Sequence, residues 1–267
     1  MGRRLGQHFL TDPAILDRIV AALRPTLADT VLEIGAGRGS LTHRLAAKVG
    51  RVIALERDPG LMGDLRSGLV GGTGDSVVEN VALVEADALA IDWHGLLDEV
   101  TAPFKVIGNI PYYITSPLID KALTPPVPRV IVMLVQRDVA DRLAAQPGGK
   151  TYGALSVGVQ SVAQVERMFT VKPGSFQPPP KVDSRVVRIT PLSDPLVALS
   201  EREPFRGFVT ALFSQRRKQL GRGIRGICGG SREQVAQALR DSGFDATQRA
   251  EALPAAEIVR LFRAFGR

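Results

Sequence analysis

The fold of this chain is decided by the stretch Val31-Leu32-Glu33-Ile34-Gly35-Ala36-Gly37-Arg38-Gly39. Its apolar first half, which begins at Thr30, has the composition of a short buried strand, and its second half is a glycine turn that opens a helix. Glycines allow the backbone to turn sharply and to approach a ligand closely at the carboxyl edge of a parallel sheet. The stretch therefore predicts a binding site for a nucleotide-type cofactor, although a glycine pattern alone has low specificity.

Strands and helices alternate on both sides of the glycine turn. Upstream, Asp12-Pro13 predicts a helix start, because a capping side chain precedes a proline at the first helical position. Downstream, the predicted strands are Arg51–Leu55, Val81–Glu85, Lys105–Gly108, Val130–Val135 and Val182–Ile189, and the predicted helices follow Ser40 and Pro59 and span Ile114–Leu123. This order predicts an α/β fold with a mainly parallel sheet covered on both faces, and the last of these strands is expected to close one edge.

The pattern changes after the segment Thr190-Pro191-Leu192-Ser193-Asp194-Pro195. Beyond it only helices with an apolar stripe are predicted, over Phe205–Phe213, Ser231–Asp241 and Pro254–Phe265. A domain boundary is expected here, which gives an α/β domain over residues 1–192 and a small all-helical domain over residues 193–267.

Composition narrows the class of protein. The chain of 267 residues is 45% hydrophobic and 23% charged, as in ordinary globular proteins. Its single cysteine, Cys228, excludes an internal disulfide and a multi-cysteine metal site, and three scattered histidines give no reason to expect a metal. Since the sequence has neither a signal-peptide pattern nor an apolar run of membrane-spanning length, a cytoplasmic protein with no membrane contact is expected.

The positive charge is concentrated near the carboxyl end. Lys and Arg exceed Asp and Glu by one over residues 1–194 and by six over residues 195–267. The run from Gln215 to Arg225 carries five cations and no acid: Arg216, Arg217, Lys218, Arg222 and Arg225. Because uncompensated charge at this density repels itself, the run predicts a surface that binds phosphates, as in a nucleic acid.

Three acids follow or end predicted strands around the expected cofactor site. Glu33 lies just before the glycine turn, where it suits an ammonium group better than a pyrophosphate. Glu56, 21 residues after Gly35, ends the next strand and can accept both hydroxyls of a ribose. Asp87 follows the third strand and can accept a hydrogen bond from the amine of a cofactor adenine. Together they predict a nucleotide-type cofactor that also carries an amino group.

The tetrapeptide Asn109-Ile110-Pro111-Tyr112 is more specific than the glycine turn. An adenine exocyclic amine is a poor nucleophile because its lone pair is delocalised into the ring. If the Asn109 side-chain oxygen and the Ile110 carbonyl accept its two hydrogens, the nitrogen can become pyramidal and attack a methyl group. Pro111 would stiffen the turn, and Tyr112 would offer a flat face for a base. The pattern predicts methyl transfer to adenine.

With these motifs in place, the chain resembles the ribosomal RNA adenine dimethyltransferase family, on its bacterial small-subunit side. The resemblance runs from Leu5-Gly6-Gln7-His8-Phe9-Leu10 through the glycine turn and the tetrapeptide. It continues in Phe176-Gln177-Pro178-Pro179-Pro180-Lys181-Val182-Asp183-Ser184 and ends in Phe213-Ser214-Gln215-Arg216-Arg217-Lys218. These segments cover nearly the whole length.

The resemblance implies a Rossmann-like seven-stranded methyltransferase domain, with S-adenosylmethionine as the methyl donor. It implies cofactor contacts from His8, Leu10, Gly35, Glu56, Asp87 and Asn109, to which the reasoning above adds Glu33 and Gly37. The implied reaction is dimethylation of two adjacent adenosines in a hairpin near the 3′ end of small-subunit ribosomal RNA, on RNA or a 30S precursor particle. Phe176 is a candidate to stack on the other face of the target base, with a buried core role as the alternative. One cleft per chain makes a monomer sufficient.

Three other functions compete with this interpretation. A methyltransferase of the antibiotic-resistance type, which modifies large-subunit RNA, also carries Asn-Ile-Pro-Tyr. An RNA-binding assembly factor without catalysis would keep the same fold. A nicotinamide oxidoreductase is disfavoured because Gly35, Gly37 and Gly39 alternate, whereas the dinucleotide fingerprint spaces its glycines as G-x-G-x-x-G.

Overall fold

A computed structural model describes residues 8–69, 78–97, 103–215 and 218–266 of the chain. These residues form two compact units. The first comprises the described residues up to Ala140 together with Glu166–Pro191, and the second comprises Asp141–Val165 together with the described residues from Leu192 onward.

Strands and helices alternate along the described part of the chain. The strands are β1 (Phe9–Leu10), β2 (Thr30–Ile34), β3 (Arg51–Glu56), β4 (Val81–Glu85), β5 (Phe104–Asn109), β6 (Ile131–Gln136), β7 (Ala163–Val171), β8 (Phe176–Gln177) and β9 (Ser184–Pro191). The helices are α1 (Pro13–Ala22), α2 (Thr42–Ala46), α3 (Pro59–Leu69), α4 (Trp93–Leu97), α5 (Thr115–Ala122), α6 (Arg137–Leu143), α7 (Ala154–Gln160), α8 (Arg202–Ser214), α9 (Leu220–Cys228), α10 (Arg232–Asp241) and α11 (Ala255–Phe265).

Seven strands form one mixed sheet in the order β4-β3-β2-β5-β6-β9-β7. The strands from β4 to β6 in this order run parallel, and β9 runs antiparallel to β6. The five residues of β2, at the centre of the parallel part, are all buried, as expected for a strand covered on both faces. The seven-stranded α/β fold implied by the sequence is therefore confirmed.

The sheet edge differs from the prediction. The strand expected over Val182–Ile189 is present as β9, but it lies inside the sheet between β6 and β7. β7 forms that edge and was not predicted. Its residues are mostly half-buried, so it lacks the apolar run and the strict alternation that identify a strand in a sequence.

The first unit also contains a separate two-stranded sheet. β1 pairs antiparallel with β8, so that Phe9 lies opposite Gln177 and Leu10 opposite Phe176. Leu10 and Phe176 are both 3% exposed and belong to a hydrophobic core that also contains residues of α1 and α2. This pairing fastens the amino-terminal segment to residues far along the chain.

The second unit is helical and has its own hydrophobic core, formed mainly from α8 and α11 with residues of α9 and α10. The boundary at Pro191 and Leu192 lies beside the predicted one, but Asp141–Val165 also belongs to this unit, whereas the sequence interpretation put it in the α/β domain. The reason is packing: Tyr152 is completely buried in the helical core, and its hydroxyl donates a hydrogen bond to the Leu253 carbonyl at 2.9 Å.

Helix α1 begins as predicted, with the Asp12 carboxylate accepting a hydrogen bond from the Ile15 amide at 3.2 Å. α9 was not predicted as a helix. Among the described residues no helix is long and apolar enough to cross a membrane.

Candidate active site

The glycine turn lies at the carboxyl end of β2, next to the ends of β3 and β5. Gly37 has a φ of +57°, which glycine adopts without a steric penalty. Its amide donates a hydrogen bond to Glu56 at the end of β3, with 2.8 Å between the nitrogen and Oε2. The Arg57 and Asp58 amides donate to the other oxygen of Glu56. The Glu56 carboxylate is thus held in one orientation at the edge of the sheet.

Glu33 is buried beneath the turn. Its side chain is 1% exposed, and its Oε2 has no hydrogen-bond partner among the described residues. Burial raises the pKa of Glu33 to about 8, the nearby Glu56 carboxylate adds to the rise, and Thr42 opposes it. A buried carboxyl group with an unpartnered oxygen, facing a cavity, is a site for a cation or a hydrogen-bond donor.

Asp87 lies beyond the end of β4. One of its oxygens accepts a hydrogen bond from the Leu89 amide at 2.9 Å, and the other forms an ion pair with Arg57 at 2.9 Å. Side chains from α4 and α5 bind the backbone of the loop that follows. The Trp93 indole donates a hydrogen bond to the Ala88 carbonyl, and Lys121 donates to the carbonyls of Leu89 and Ile91. These hydrogen bonds stabilise the loop that positions Asp87.

Asn109 is the last residue of β5 and directly precedes the turn at Pro111. Its Nδ2 donates a hydrogen bond to the backbone carbonyl of His8 at 3.2 Å. Among the described residues no donor contacts its Oδ1. The amide is therefore oriented by its nitrogen, which leaves the oxygen available to accept a hydrogen bond from a ligand.

Tyr112 is held at its hydroxyl and along its ring. A hydrogen bond of 2.7 Å joins the hydroxyl to Ser184 Oγ, and the ring stacks on the imidazole of His8 with 6.2 Å between centroids and 27° between planes. His8 Nδ1 donates to the Pro178 carbonyl at 2.8 Å. Burial raises the pKa of Tyr112, with Ser184 partly opposing the rise, so the phenol stays neutral near neutral pH. His8 thus contacts both Asn109 and Tyr112.

Two neighbouring cavities open at this edge of the sheet. The first contains about 750 Å³ of space, including its open mouth, and is lined by His8, Phe9, Leu10, Leu16, Glu33, Gly35, Ala36, Gly37, Arg38, Ser40, Leu41, Glu56, Leu61, Asn109, Ile110, Pro111 and Tyr112. The second is lined by Ile34, Gly35, Leu55, Arg57, Ala86, Asp87, Ala88, Leu89, Ile110, Pro111, Tyr113 and Ile114. The cavities share Gly35, Ile110 and Pro111, so they form one cleft with two lobes.

The structure brings most of the predicted site residues together in this cleft. The first lobe contains every predicted cofactor residue except Asp87, together with Pro111 and Tyr112, and the second lobe contains Asp87. No group of three or more His, Cys, Asp or Glu side chains in the described residues has an arrangement that could hold a metal ion.

Phe176 differs from its predicted role at the target base. It lines neither lobe, and its side chain is 3% exposed within the hydrophobic core opposite Leu10. The alternative weighed for it, a core phenylalanine, describes its position here. Because the side chain is buried in this core, it is not accessible to a base in this conformation.

The predicted RNA-binding residues lie in the helical unit as far as the structure describes them. Lys218, Arg222 and Arg225 are exposed, the last two on α9. Arg216 and Arg217 lie outside the described residues.

Several cleft residues were missed by sequence reasoning. Arg38 and Tyr113 line the two lobes, Arg57 pairs with Asp87, and Ser184 holds Tyr112. Arg38 and Arg57 are signalled by their places directly beside the glycine turn and Glu56. Ser184 carries no comparable signal, because it lies 72 residues from Tyr112 in sequence.

The fold and the cleft define an α/β methyltransferase: a seven-stranded sheet in which β9 runs antiparallel to β6, a glycine turn after β2, and an Asn-Ile-Pro-Tyr turn in the same cleft. A model of the ribosomal RNA adenine dimethylase family matches residues 2–266. The chain belongs to this family. Its enzymatic class, an rRNA adenine dimethyltransferase, and its methyl donor, S-adenosylmethionine, are those predicted from the sequence.

Individual relatives agree with the family match. The ribosomal RNA small subunit methyltransferase A of Synechococcus elongatus is 41% identical over 260 residues, which cover 94% of this chain and 90% of the relative. A solved dimethyladenosine transferase from Plasmodium falciparum has a TM-score of 0.81 and 25% identity, with 97% of each chain covered. The 23S rRNA methyltransferase ErmE has a TM-score of 0.73 and 26% identity, with 97% of this chain and 100% of that chain covered. The greater likeness to the small-subunit enzymes disfavours the large-subunit alternative.

Proposed function

We propose that this protein dimethylates the exocyclic amines of two adjacent adenosines in a hairpin near the 3′ end of small-subunit ribosomal RNA. The observation that carries the proposal is the Asn109 side-chain oxygen, which is available at the mouth of a cleft that also contains a buried, unpartnered acid. The family match and the small-subunit relatives support the choice of RNA. A ribosomal substrate agrees with a cytoplasmic location.

The residues of the cleft fit S-adenosylmethionine. The unpartnered Oε2 of Glu33 suits the amino group of a bound amino acid, and the fixed Glu56 carboxylate suits ribose hydroxyls. Asp87 in the second lobe suits an adenine amine. Gly35 and Gly37, both with positive φ, leave the backbone open toward the ligand. When bound, the cofactor supplies a methyl group that is already activated by a sulfonium.

Asn109 acts on the methyl acceptor. Its Oδ1 and the Ile110 carbonyl would accept the two amine hydrogens of the target adenine, which draws the nitrogen lone pair out of the ring. The hydrogen bond from its Nδ2 to the His8 carbonyl keeps Oδ1 turned toward the cleft. This orientation exists before the substrate arrives, so little reorganisation is required on binding. Tyr112, on the same turn, would stack on the base.

The exposed cations of the helical unit would bind the RNA backbone. Lys218 and Arg222 form no ion pair within the described residues, so their charge is available to phosphates. Arg225 is also exposed, and its charge helps to lower the pKa of the Glu233 carboxyl group. We infer that the protein acts as a monomer on small-subunit RNA within a 30S precursor particle, since the cleft is built from one chain.

A methylation assay tests this function. The protein is incubated with radiolabelled S-adenosylmethionine and with 30S or 50S particles from a strain that lacks the modification. We expect label in dimethyladenosine from 30S particles. Label only in 50S particles would favour the large-subunit enzyme, and RNA binding without label would favour an assembly factor.

The variant Asn109→Ala tests the role of the side-chain amide. We expect a loss of methyl transfer of at least about 100-fold, because positioning supplies most of the rate, with RNA affinity near that of the wild type by filter binding. Gln136→Ala is the matched control, since Gln136 carries the same amide at the end of the neighbouring strand β6 but lines neither lobe. Equal losses of methyl transfer and RNA affinity in Asn109→Ala would contradict the proposed role.

A further inference from the structure

Ser184 contacts a residue of the cleft without lining the cleft itself. It is the first residue of β9 and is completely buried. Its hydroxyl and the Tyr112 hydroxyl form a hydrogen bond of 2.7 Å, the usual distance for a well-formed bond between two hydroxyl groups. Since its backbone is fixed by pairing with Gln136 of β6, Ser184 is a rigid anchor on the main sheet.

Tyr112 needs such an anchor because its backbone lies in a short 3₁₀ turn, Tyr112–Ile114, rather than in a strand or long helix. The ring is half-buried and forms part of the first lobe. The stacked imidazole of His8 limits movement of one ring face, but it does not fix the position of the hydroxyl end. The hydrogen bond to Ser184 does so.

We propose that Ser184 is a positioning residue for methyl transfer: its hydrogen bond to Tyr112 fixes the hydroxyl end of the tyrosine ring, and with it the position of the ring against which the target adenine is held. The inference rests on the proposed function, in which Tyr112 stacks on the base. Ser184 itself touches neither substrate nor cofactor. It acts only through Tyr112, so its effect on methyl transfer should disappear when Tyr112 lacks its hydroxyl.

The test is a double-mutant cycle with Ser184→Ala and Tyr112→Phe. Each variant removes one side of the same hydrogen bond. We expect each to lower kcat for methyl transfer to 30S particles by about fivefold, as the loss of one neutral hydrogen bond predicts. The double variant is expected to lose no more than either single variant, because the bond is already broken. The KM for RNA and the affinity for S-adenosylhomocysteine are expected to stay near wild-type values.

Ser161→Ala is the matched control. Ser161 is also a buried serine, and its hydroxyl donates to the Gly158 carbonyl in the helical unit. We expect this variant to leave kcat unchanged. If Ser184→Ala lowers the thermal midpoint and the S-adenosylhomocysteine affinity together with kcat, its role is structural and the inference is overturned. Losses in the single variants that multiply in the double variant would also overturn it.

Failure of this inference is distinguishable from failure of the proposed function. If wild-type protein methylates 30S particles and Ser184→Ala matches it, only the role of Ser184 is wrong. If the wild type transfers no methyl group to adenine, the proposed function itself is wrong.

Discussion

The buried carboxyl group of Glu33 affects both the cofactor site and the pH dependence of stability. Its carboxyl group is buried beside a second acid, and burial raises its pKa to about 8. The unfolded chain ionises this group near its ordinary value of 4.5. Between these two values the folded protein keeps a proton that the unfolded chain has lost, so the group makes the free energy of unfolding fall as pH rises.

The variant Glu33→Gln is expected to remove this pH dependence. We consider the free energy of unfolding of the variant minus that of the wild type. This difference should increase by a few kcal/mol from pH 5 to pH 8 and level off above the folded-state pKa of Glu33. Urea denaturation at pH 5, 6.5, 8 and 9 measures the difference. A constant difference across this range would mean that Glu33 is not protonated in the folded protein.

At the residue scale, the sequence predicted which residues form the cleft better than it predicted how deeply a residue is buried and what it contacts. Glu33 was predicted from its place at the end of a strand before the glycine turn, because the ends of parallel strands meet at one edge. Asn109 and Tyr112 were predicted from the tetrapeptide that follows another strand. The sequence left open whether Phe176 contacts the target base or is buried in the core, since its pairing with Leu10 joins segments that are far apart in sequence. The hydrogen bond between Tyr112 and Ser184 was not predicted for the same reason, because these residues are 72 positions apart in sequence.

The glycine turn is the element on which the cleft depends. At Gly37 an added Cβ would combine an unfavourable φ of +57° with a distance of 3.4 Å to the Phe9 ring. Phe9 belongs to β1, directly after His8, so a turn strained by this φ would pack differently against the segment that contacts Asn109 and Tyr112. The turn and the amino-terminal strand are therefore mechanically coupled.

The variant Gly37→Ala tests this coupling. We expect a loss of about 1 kcal/mol in the free energy of unfolding, the cost of a left-handed residue with a Cβ, and a clearly weaker affinity for S-adenosylhomocysteine by calorimetry. Gly63→Ala is the control: Gly63 lies in helix α3, and its added Cβ meets no atom within 4 Å. That variant should gain about 0.5–1 kcal/mol and keep its affinity. An unchanged affinity in Gly37→Ala would show that the turn tolerates a side chain.

Among the elements, those with strong local patterns were predicted. β2, β3 and β6 are short strands whose residues are mostly Val, Ile, Leu, Met or Ala. α9 was missed because its sequence, LGRGIRGIC, has three glycines and looks like a loop. Its helix is instead stabilised by the burial of Leu220 and Ile224 in the helical core, which propensity alone does not reveal.

At the scale of the whole molecule, positive charge is unevenly distributed along the sequence. The excess of six cations beyond residue 194 contrasts with near neutrality before it. Arg222 and Arg225 are exposed and three positions apart on α9, so they share one face of the helix. Together with the exposed Lys218, this face is the described part of the predicted RNA-binding surface.

Charge reversal on this face tests its role. We expect Arg222→Glu with Arg225→Glu to weaken RNA binding and to make the slope of log affinity against log salt shallower by about 2, as the loss of two phosphate contacts predicts. The pair Arg232→Glu and Arg240→Glu changes the same charge on exposed positions of α10 and should alter the slope less. Filter binding at several salt concentrations measures both. Equal slopes for the two pairs would indicate a general effect of net charge.

The division into units was only partly predictable. The boundary near residue 192 carried a signal in its Pro, Ser and Asp residues. No such signal marks Asp141–Val165 as part of the helical unit, because its membership depends on the burial of Tyr152 among residues about 100 positions away. Local composition does not reveal contacts between residues so far apart in sequence.

The pairing of β1 with β8 has a consequence for the newly made chain. Pro178, which accepts the hydrogen bond of His8, is translated 170 residues after it. At about 5–20 residues per second, this delay lasts roughly 10–30 seconds. During that time Asn109 and Tyr112 are translated without the β1–β8 pairing that holds His8 in place, so the turn at Pro111 acquires its final shape only after Pro178 has been added.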